Sequence, residues 1–312
     1  MDPAPDHWHV VGDGAIGMAL AHRLHRQGRP VTLITHEDHG RTRELSYRSL
    51  RGPEVRWRCD VLARPDGRPL ERVLVTTKAY SVEEVFATWG EALAGHASIY
   101  YLQNGLDFEA RGLPGSVRVL HVVNGGFTAF VDGPGSVVQS AMNPIWIGTL
   151  DGGPPPEALA GDLATLGAAG FEVRWTDAIR LHRWEKAGIN TVINTLTVLN
   201  DCLNGQLLER PPLAKDVRRL CTELGALFTA MGLPFTEGHL LESTQAIIEG
   251  TAHNVSSTLQ DLRAGRPRHE LGYITRPLLE EAARRSIPMP TCEAGYREVS
   301  RRFEAAVGPG TP

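Results

Sequence analysis

The chain has 312 residues, of which 42% are hydrophobic and 22% charged, as in an ordinary globular protein of about two domains. The formal net charge is −4, and no run of like charge indicates a nucleic-acid-binding arm. No apolar run approaches the ~18 residues of a membrane helix, and the polar, acidic start is unlike a secretory signal. The scattered cysteines, which lack disulfide or zinc spacing, predict packed, reduced thiols of a cytoplasmic protein: Cys59, Cys202, Cys221 and Cys292.

The first half of the chain alternates short β-branched runs with helical patterns, which is typical of βαβ units in a mainly parallel sheet. The predicted strands are 8–11, 31–35, 73–77, 98–102, 117–123 and 172–175. The predicted helices are 15–27 and 82–93. Residues 127–148 predict short strands around a turn at 132–135.

Long helical patterns replace the strands after Trp175. The predicted helices are 179–199, 215–231, 240–262 and 270–285, and we expect the tail after Val307 to fray. We therefore predict an α/β Rossmann-type N-terminal domain, 1–176, followed by an all-α C-terminal domain, 177–312.

A glycine-rich turn follows the first strand and opens the first helix. It reads Gly12, Asp13, Gly14, Ala15, Ile16, Gly17. In a Rossmann unit the first glycine allows the tight turn, the second the approach of the pyrophosphate, and the third the packing of helix on strand. This context predicts that residues 12–17 bind a dinucleotide at the helix N-terminus.

The residues after the second strand bear on the choice of nucleotide. NAD enzymes carry an acid about 20 residues after the glycines, and His36 stands there, 19 residues after Gly17. Glu37 and Asp38 come next, followed by Arg41 and Arg43. A missing acid with bases nearby favours NADP(H), with His36 and Arg41 near the 2′-phosphate; alternatively, the arginines are solvated loop charges.

Polar residues also follow two later strands. Lys78 comes after the strand at 73–77, and Asn104 after the strand at 98–102. Ligands of open α/β sheets bind beyond the carboxyl ends of strands, so both are candidates for contacting cofactor, and Asn104 also for contacting substrate. Either residue could instead cap a turn.

A polar stripe crosses the most apolar predicted helix. Lys186, Asn190 and Asn194 are spaced i, i+4, i+8 and share one face. Buried without partners they would be costly, so they should meet a ligand or another polar helix. Partial desolvation would lower the pKa of Lys186 and make it a proton donor near neutrality. An interhelical hydrogen-bond network is the alternative.

Further polar groups come later in the chain. Asn254, Ser257 and Asp261 fall at helical spacing, and Glu270 begins another predicted helix near Tyr273. Helix capping is by itself a sufficient explanation of Glu270, since an acid in the first turn of a helix is favourable. The case for a site therefore depends on the whole set.

The order of these features resembles the ketopantoate reductase (2-dehydropantoate 2-reductase) family over nearly the whole chain. The matching blocks are 12–17, 75–79, 103–105, 184–186 with Asn190 and Asn194, 204–205, 254–261 and 270–273. The resemblance implies a helical domain like that of 6-phosphogluconate dehydrogenase, an active site in the cleft, and hydride transfer from NADPH to C2 of a small 2-oxo acid in pantothenate biosynthesis.

The resemblance also implies residue roles. Lys186 would be the general acid, and Glu270 would contact the lysine and the substrate hydroxyl. Lys78 would lie near the cofactor. The substrate would be held by Asn104, Asn190, Asn194, Asn204 and Ser257.

The chain departs from the family pattern at several positions. His36 replaces an arginine, Thr195 a proline and Gly272 an aspartate, while Thr275 and Arg276 replace an Asn-Gly pair. The alternatives are thus a member acting on another 2-oxo acid, with Arg276 as an extra anion contact or a solvated charge, or a noncatalytic NADP-binding sensor. Neither membrane nor nucleic acid is expected as a partner, no metal is expected, and a homodimer stays open.

Overall fold

A computed structural model describes residues 6–108, 113–142 and 144–307. The chain divides into two compact units. The first contains the residues up to Gln103 and Phe108–His182, and the second contains Asn104–Asp107 and the chain from Arg183 onward. The first unit carries the strands and the second is helical, so the predicted fold class is confirmed.

The first unit is built on a sheet with short, mostly apolar central strands. Its strands are β1 Trp8–Val11, β2 Val31–Ile34, β3 Thr42–Ser49, β4 Val55–Leu62, β5 Leu70–Val75, β6 Leu93–Tyr101, β7 Arg118–Asn124, β8 Thr128–Gly133, β9 Ser136–Ala141, β10 Ile145–Gly148 and β11 Val173–Trp175. Their order is β11-β10-β7-β6-β5-β1-β2-β4-β3-β9-β8. The pairs of β1 with β2 and with β5 are parallel, so the ends of these strands share one edge.

Helices α1 Ala15–Arg26, α2 Val82–Trp89 and α3 Ala160–Ala168 complete the first unit. All four residues of β1 are buried. Along α1, Met18, Leu20 and Leu24 are buried in the same hydrophobic core. Burial of these side chains, worth about 1.5–3 kcal/mol each, fixes the helix start beside the end of β1.

The second unit consists of helices joined by short loops. They are α4 Ile179–Asn200, whose first residues belong to the first unit, α5 Gln206–Glu209, α6 Pro211–Ala230, α7 Glu237–Gly250, α8 Ser257–Arg263, α9 Leu271–Arg284 and α10 Pro290–Val307. Buried apolar side chains lie all along α4: Ala187, Ile189, Val192, Ile193, Leu196 and Val198. A helix apolar on most sides is buried, so α4 is the central helix of this unit.

One predicted helix is wrong: 240–262 is two helices. Between α7 and α8, the carbonyls of Ala252 and Asn254 accept hydrogen bonds from the amides of Gly205 and Asn204, at 3.0 Å each. The Ser256 hydroxyl then accepts from the Leu259 amide and caps α8. Asn254 therefore precedes the helix that carries Ser257 and Asp261 and does not share its face.

Two further differences lie in the first unit. The predicted helix 82–93 ends at Trp89, and Leu93 already begins β6. Strands β3 and β4 were not predicted, because charged residues on the outward face interrupt their apolar pattern, as in Thr42–Ser49. The tail after Val307 lies outside the described residues.

The cysteines are free and buried, as predicted. Burial raises the pKa of Cys59 to about 12 and that of Cys221 to about 11. These thiols are therefore packed side chains and poor nucleophiles. Among the described helices, none combines the length and apolarity needed to cross a bilayer.

His22 gives the first unit a pH-dependent stability. It is 1% exposed, its ring stacks 4.0 Å from that of Tyr47, and neither ring nitrogen has a hydrogen-bond partner in the described structure. Burial, then the charges of Arg26, His25 and Arg23, lower its pKa from 6.5 to about 4. The folded state therefore binds a proton at His22 less readily than the unfolded state does. As a result, the free energy of unfolding decreases as the pH falls from about 6.5 towards about 4.

On lowering the pH from 7 to 5, the free energy of unfolding of the wild type should fall by about 2 kcal/mol more than that of His22→Phe. Urea unfolding at the two pH values measures this difference. The matched control is His253→Phe, since His253 is exposed and lies in the second unit. An equal loss in His22→Phe and the wild type would contradict the assignment.

Candidate functional site

The glycine turn of the first unit has the geometry of a dinucleotide cradle. Gly12 has φ +105°, a conformation that favours glycine. A Cβ at Gly17 would stand 1.9 Å from the Gly12 carbonyl oxygen, so only glycine lets α1 pack this closely. Thr76 at the end of β5 closes the turn, its hydroxyl donating to the carbonyls of Val11 and Gly12 at 2.8 and 3.2 Å.

Gly14 marks the open side of this cradle. A Cβ there would meet no atom of another described residue within 4 Å, its chain neighbours excepted, and Gly14 is the N-cap of α1 but has no side chain to bind the first amides. Free amides at a helix N-terminus bind phosphate. A pocket of about 200 Å³ adjoins the turn, lined by Asp13, Thr35, His36, Ser81 and Trp89 among others. The described residues thus fit a dinucleotide, which needs a close backbone approach and a pocket for its ribose.

The other predicted cofactor residues lie around the same strand ends. His36 is exposed and lines the pocket, Arg41 is exposed ahead of β3, and Lys78 is partly buried at the start of a 3₁₀ turn after β5. Gln103 was not predicted to act here: its amide donates to the carbonyls of Val75 and Thr77, at 2.9 Å each. Gln103, the residue before Asn104, therefore holds the chain at the end of β5 in place.

Asp13 and Arg43 form an ion pair at the rim of the turn. Arg43 Nη1 lies 2.8 Å from Asp13 Oδ2. The same Nη1 lies 3.3 Å from Nε2 of His39, which is 3.9 Å from the Asp13 carboxylate. Arg43 comes from β3, a strand that was not predicted, so its pairing with the turn could not be expected from the sequence.

In the second unit, Lys186 is the distinctive group of α4. Burial lowers its pKa to about 8, and the nearby Glu270 carboxylate raises it against that effect. Glu270 is 5% exposed and is the N-cap of α9. A lysine with this pKa is mostly cationic at neutral pH yet releases its proton readily, so it can serve as a general acid.

Hydroxyl pairs fasten α4 to the two helices that carry the remaining candidates. The Thr191 and Thr275 hydroxyls lie 2.9 Å apart and join α4 to α9. Those of Thr197 and Ser256 lie 2.7 Å apart and join α4 to the start of α8. These buried bonds hold the helix of Lys186 against the beginning of α9, with Glu270, and of α8, with Ser257.

The segment Asn104–Asp107 docks on the start of α9. The Leu106 amide donates to the Tyr273 carbonyl at 2.8 Å. Arg183, 8% exposed, donates to the Leu106 carbonyl at 2.9 Å. Arg183 was not predicted, although it precedes Lys186 by one helical turn and so shares its side of α4. The predicted residue Asn104 is thereby held beside the α9 terminus that presents Glu270.

Gly105 allows this docking, since its φ is +114° and a Cβ would lie 2.5 Å from the Tyr273 carbonyl oxygen. We expect Gly105→Ala to lower the free energy of unfolding by about 1–3 kcal/mol, because the segment must move away from Tyr273. The matched control is Gly265→Ala, because Gly265 also has a positive φ but meets no atom of another described residue within 4 Å, its chain neighbours excepted. Equal losses of unfolding free energy in the two variants would contradict the docking role.

Among the other predicted residues, Asn190 is partly buried and Asn194 is 6% exposed, one and two turns after Lys186. Asn204 lies in the turn after α4, where its amide donates to the Thr251 hydroxyl at 2.9 Å. Its Oδ1 is buried and has no partner among the described residues. Arg276 is exposed and lies 3.6 Å from Glu280, one turn on, which supports the solvated-charge interpretation.

Comparisons with known proteins agree on one family. The family model described as "Ketopantoate reductase PanE/ApbA" matches residues 8–152, and "Ketopantoate reductase PanE/ApbA C terminal" matches residues 178–302. A 2-dehydropantoate 2-reductase of Yersinia pestis is 32% identical over 249 residues, 78% of each chain.

Solved structures give the same fold. A PanE/ApbA family ketopantoate reductase from Ralstonia eutropha JMP134 is similar with a TM-score of 0.83 and 23% identity, covering 96% of this chain and 99% of that one. A D-mandelate dehydrogenase with NADH and anilino(oxo)acetate gives 0.83 and 20%, with the same coverage. At these identities the structures support the fold alone.

Proposed function

The chain belongs to the ketopantoate reductase family, and we propose that it reduces 2-dehydropantoate to pantoate with NADPH, a step of pantothenate biosynthesis. The observation that carries the proposal is Lys186: a lysine whose pKa is lowered to about 8 by burial, coupled to the Glu270 carboxylate. A binding protein has no need of a proton donor, so this pair favours an enzyme over the sensor.

The reaction needs a proton at the oxygen on which negative charge develops. When bound, the reduced nicotinamide supplies a hydride to C2 of the 2-oxo acid. Lys186 Nζ donates its proton to the carbonyl oxygen and stabilises the developing charge, then takes up a proton again from solvent. Glu270 favours the cationic form of Lys186, so the donor is loaded before each turnover.

Amide and hydroxyl groups around Lys186 are suited to a small, polar acid. We assign Asn190 and Asn194, on the same face of α4, to the substrate's carboxylate and carbonyl. Asn104 and Ser257 are assigned to its carboxylate and hydroxyl, supported by the bonds that hold their segments. Asn204 is assigned to substrate binding through its buried Oδ1, which has no hydrogen-bond partner among the described residues.

The cofactor is held by the turn at residues 12–17, with the pyrophosphate at the α1 amides beside Gly14. Lys78, His36 and Arg41 are assigned to its phosphates and ribose. His36, in place of an acid 19 residues after Gly17, supports NADPH.

The free, buried cysteines support a reducing compartment, the cytoplasm. The competing substrate is another 2-oxo acid, and phenylglyoxylate, the 2-oxo acid that corresponds to mandelate, serves as one comparison compound.

The substrate assignment is tested by comparing kcat/KM for 2-dehydropantoate, phenylglyoxylate and pyruvate, with NADPH consumption as the readout. We expect 2-dehydropantoate to lead. A higher kcat/KM for another 2-oxo acid would make that acid the assigned substrate, and the proposed reaction class, reduction of a 2-oxo acid, would stand.

A further inference from the structure

The ion pair between Asp13 and Arg43 lies beside the pocket to which we assign the nucleotide's ribose, and Asp13 is part of the pocket lining. Asp13 belongs to the phosphate-binding turn and lines the pocket together with Thr35 and His36, at the end of β2. In Rossmann domains the end of this strand faces the ribose 2′-position. Asp13 is therefore an acid of the turn near this position, in addition to Glu37 and Asp38 in the chain that follows β2.

Arg43 is the partner that this acid holds. Its guanidinium lies 2.8 Å from the Asp13 carboxylate, and the two side chains are 20% and 35% exposed. Both groups thus remain accessible to a ligand while bonded to each other. His39 adds a third polar group, 3.3 Å from Arg43 and 3.9 Å from Asp13.

We propose that Asp13 sets the choice between NADP(H) and NAD(H) by competing with the 2′-phosphate for Arg43. A ribose 2′-hydroxyl leaves the pair intact and can donate to the Asp13 carboxylate. A 2′-phosphate is repelled by that carboxylate and competes with it for the charge and the N–H donors of the Arg43 guanidinium. Asp13 thus weakens the preference for NADP(H), and Arg43 supplies it.

The proposal rests on the proposed function only for the identity of the nucleotides. Its test is equilibrium binding, which needs no substrate and no turnover. Should the protein bind the nucleotides but reduce no 2-oxo acid, the proposed function fails and this assignment is still tested.

The experiment measures Kd of NADPH and NADH, by nicotinamide fluorescence, for the wild type, Asp13→Asn, Arg43→Gln and the double variant. We expect Asp13→Asn to lower the Kd of NADPH about tenfold, which is the size of one partly screened charge contact. The Kd of NADH should change much less. Arg43→Gln should weaken NADPH and spare NADH. Thermal unfolding of each variant checks the fold.

The double variant separates exchange from simple repulsion. In the Arg43→Gln background, Asp13→Asn should increase the affinity for NADPH much less than it does in the wild type, because there is no guanidinium to release. The wild-type gain should also shrink as salt is raised. Equal gains in both backgrounds, no gain in NADPH affinity, a parallel change for NADH, or no binding of either nucleotide would overturn the proposal.

Discussion

Replacing Lys186 with alanine is expected to lower kcat for 2-oxo acid reduction by about 10²- to 10⁴-fold, the contribution of a positioned general acid. The affinity for NADPH should stay unchanged, because the turn at residues 12–17 lies in the first unit. Steady-state NADPH consumption and nucleotide titration measure the two quantities. In the wild type, kcat should fall as the pH rises through about 8, because the protonated amine is the donor.

The matched control is Lys215→Ala, since Lys215 is an exposed lysine of α6 in the same unit. It should retain both the rate and its pH dependence. Turnover retained by Lys186→Ala, or an unchanged fall in its rate near pH 8, would exclude Lys186 as the proton donor.

Gly14→Val is expected to weaken NADPH binding without unfolding the protein. The valine side chain would enter space that is open in the described structure, where we assign the pyrophosphate. Crowding of this kind costs about 1–3 kcal/mol, which corresponds to about a 10- to 100-fold higher Kd. The backbone at Gly14, with φ −72° and ψ 179°, accepts valine without strain.

Gly17→Ala is the contrasting variant in the same motif. Its Cβ would stand 1.9 Å from the Gly12 carbonyl oxygen, so it should lower the melting temperature as well as nucleotide affinity. The pair therefore separates a ligand contact from a packing contact. Unchanged NADPH affinity in Gly14→Val would contradict the phosphate assignment.

Much of the fold could be predicted because local pattern and tertiary structure agree there. The strand Trp8–Val11 is buried along its whole length, and α1 begins where the glycine spacing indicates. The stripe of Lys186, Asn190 and Asn194 lies on one long helix as its spacing predicts. Each feature depends on residues close in sequence, so periodicity and motif suffice.

The features that were not predicted depend on contacts between residues distant in sequence. The break between α7 and α8 is made by the amides of Asn204 and Gly205, about fifty residues earlier. The pairing of Arg43 with Asp13 requires β3, whose outward charges conceal its strand pattern. Arg183 belongs to no recognised motif. It donates to the main-chain carbonyl of Leu106, a residue far from it in the sequence.

The most direct test of the account is the stoichiometry of a single reaction. Purified protein, NADPH and 2-dehydropantoate should yield pantoate and NADP⁺ in equal amounts, with neither formed when the protein is left out. Binding of NADPH with no oxidation of it by 2-dehydropantoate or any other 2-oxo acid would contradict the central claim, and would favour a nucleotide-binding sensor.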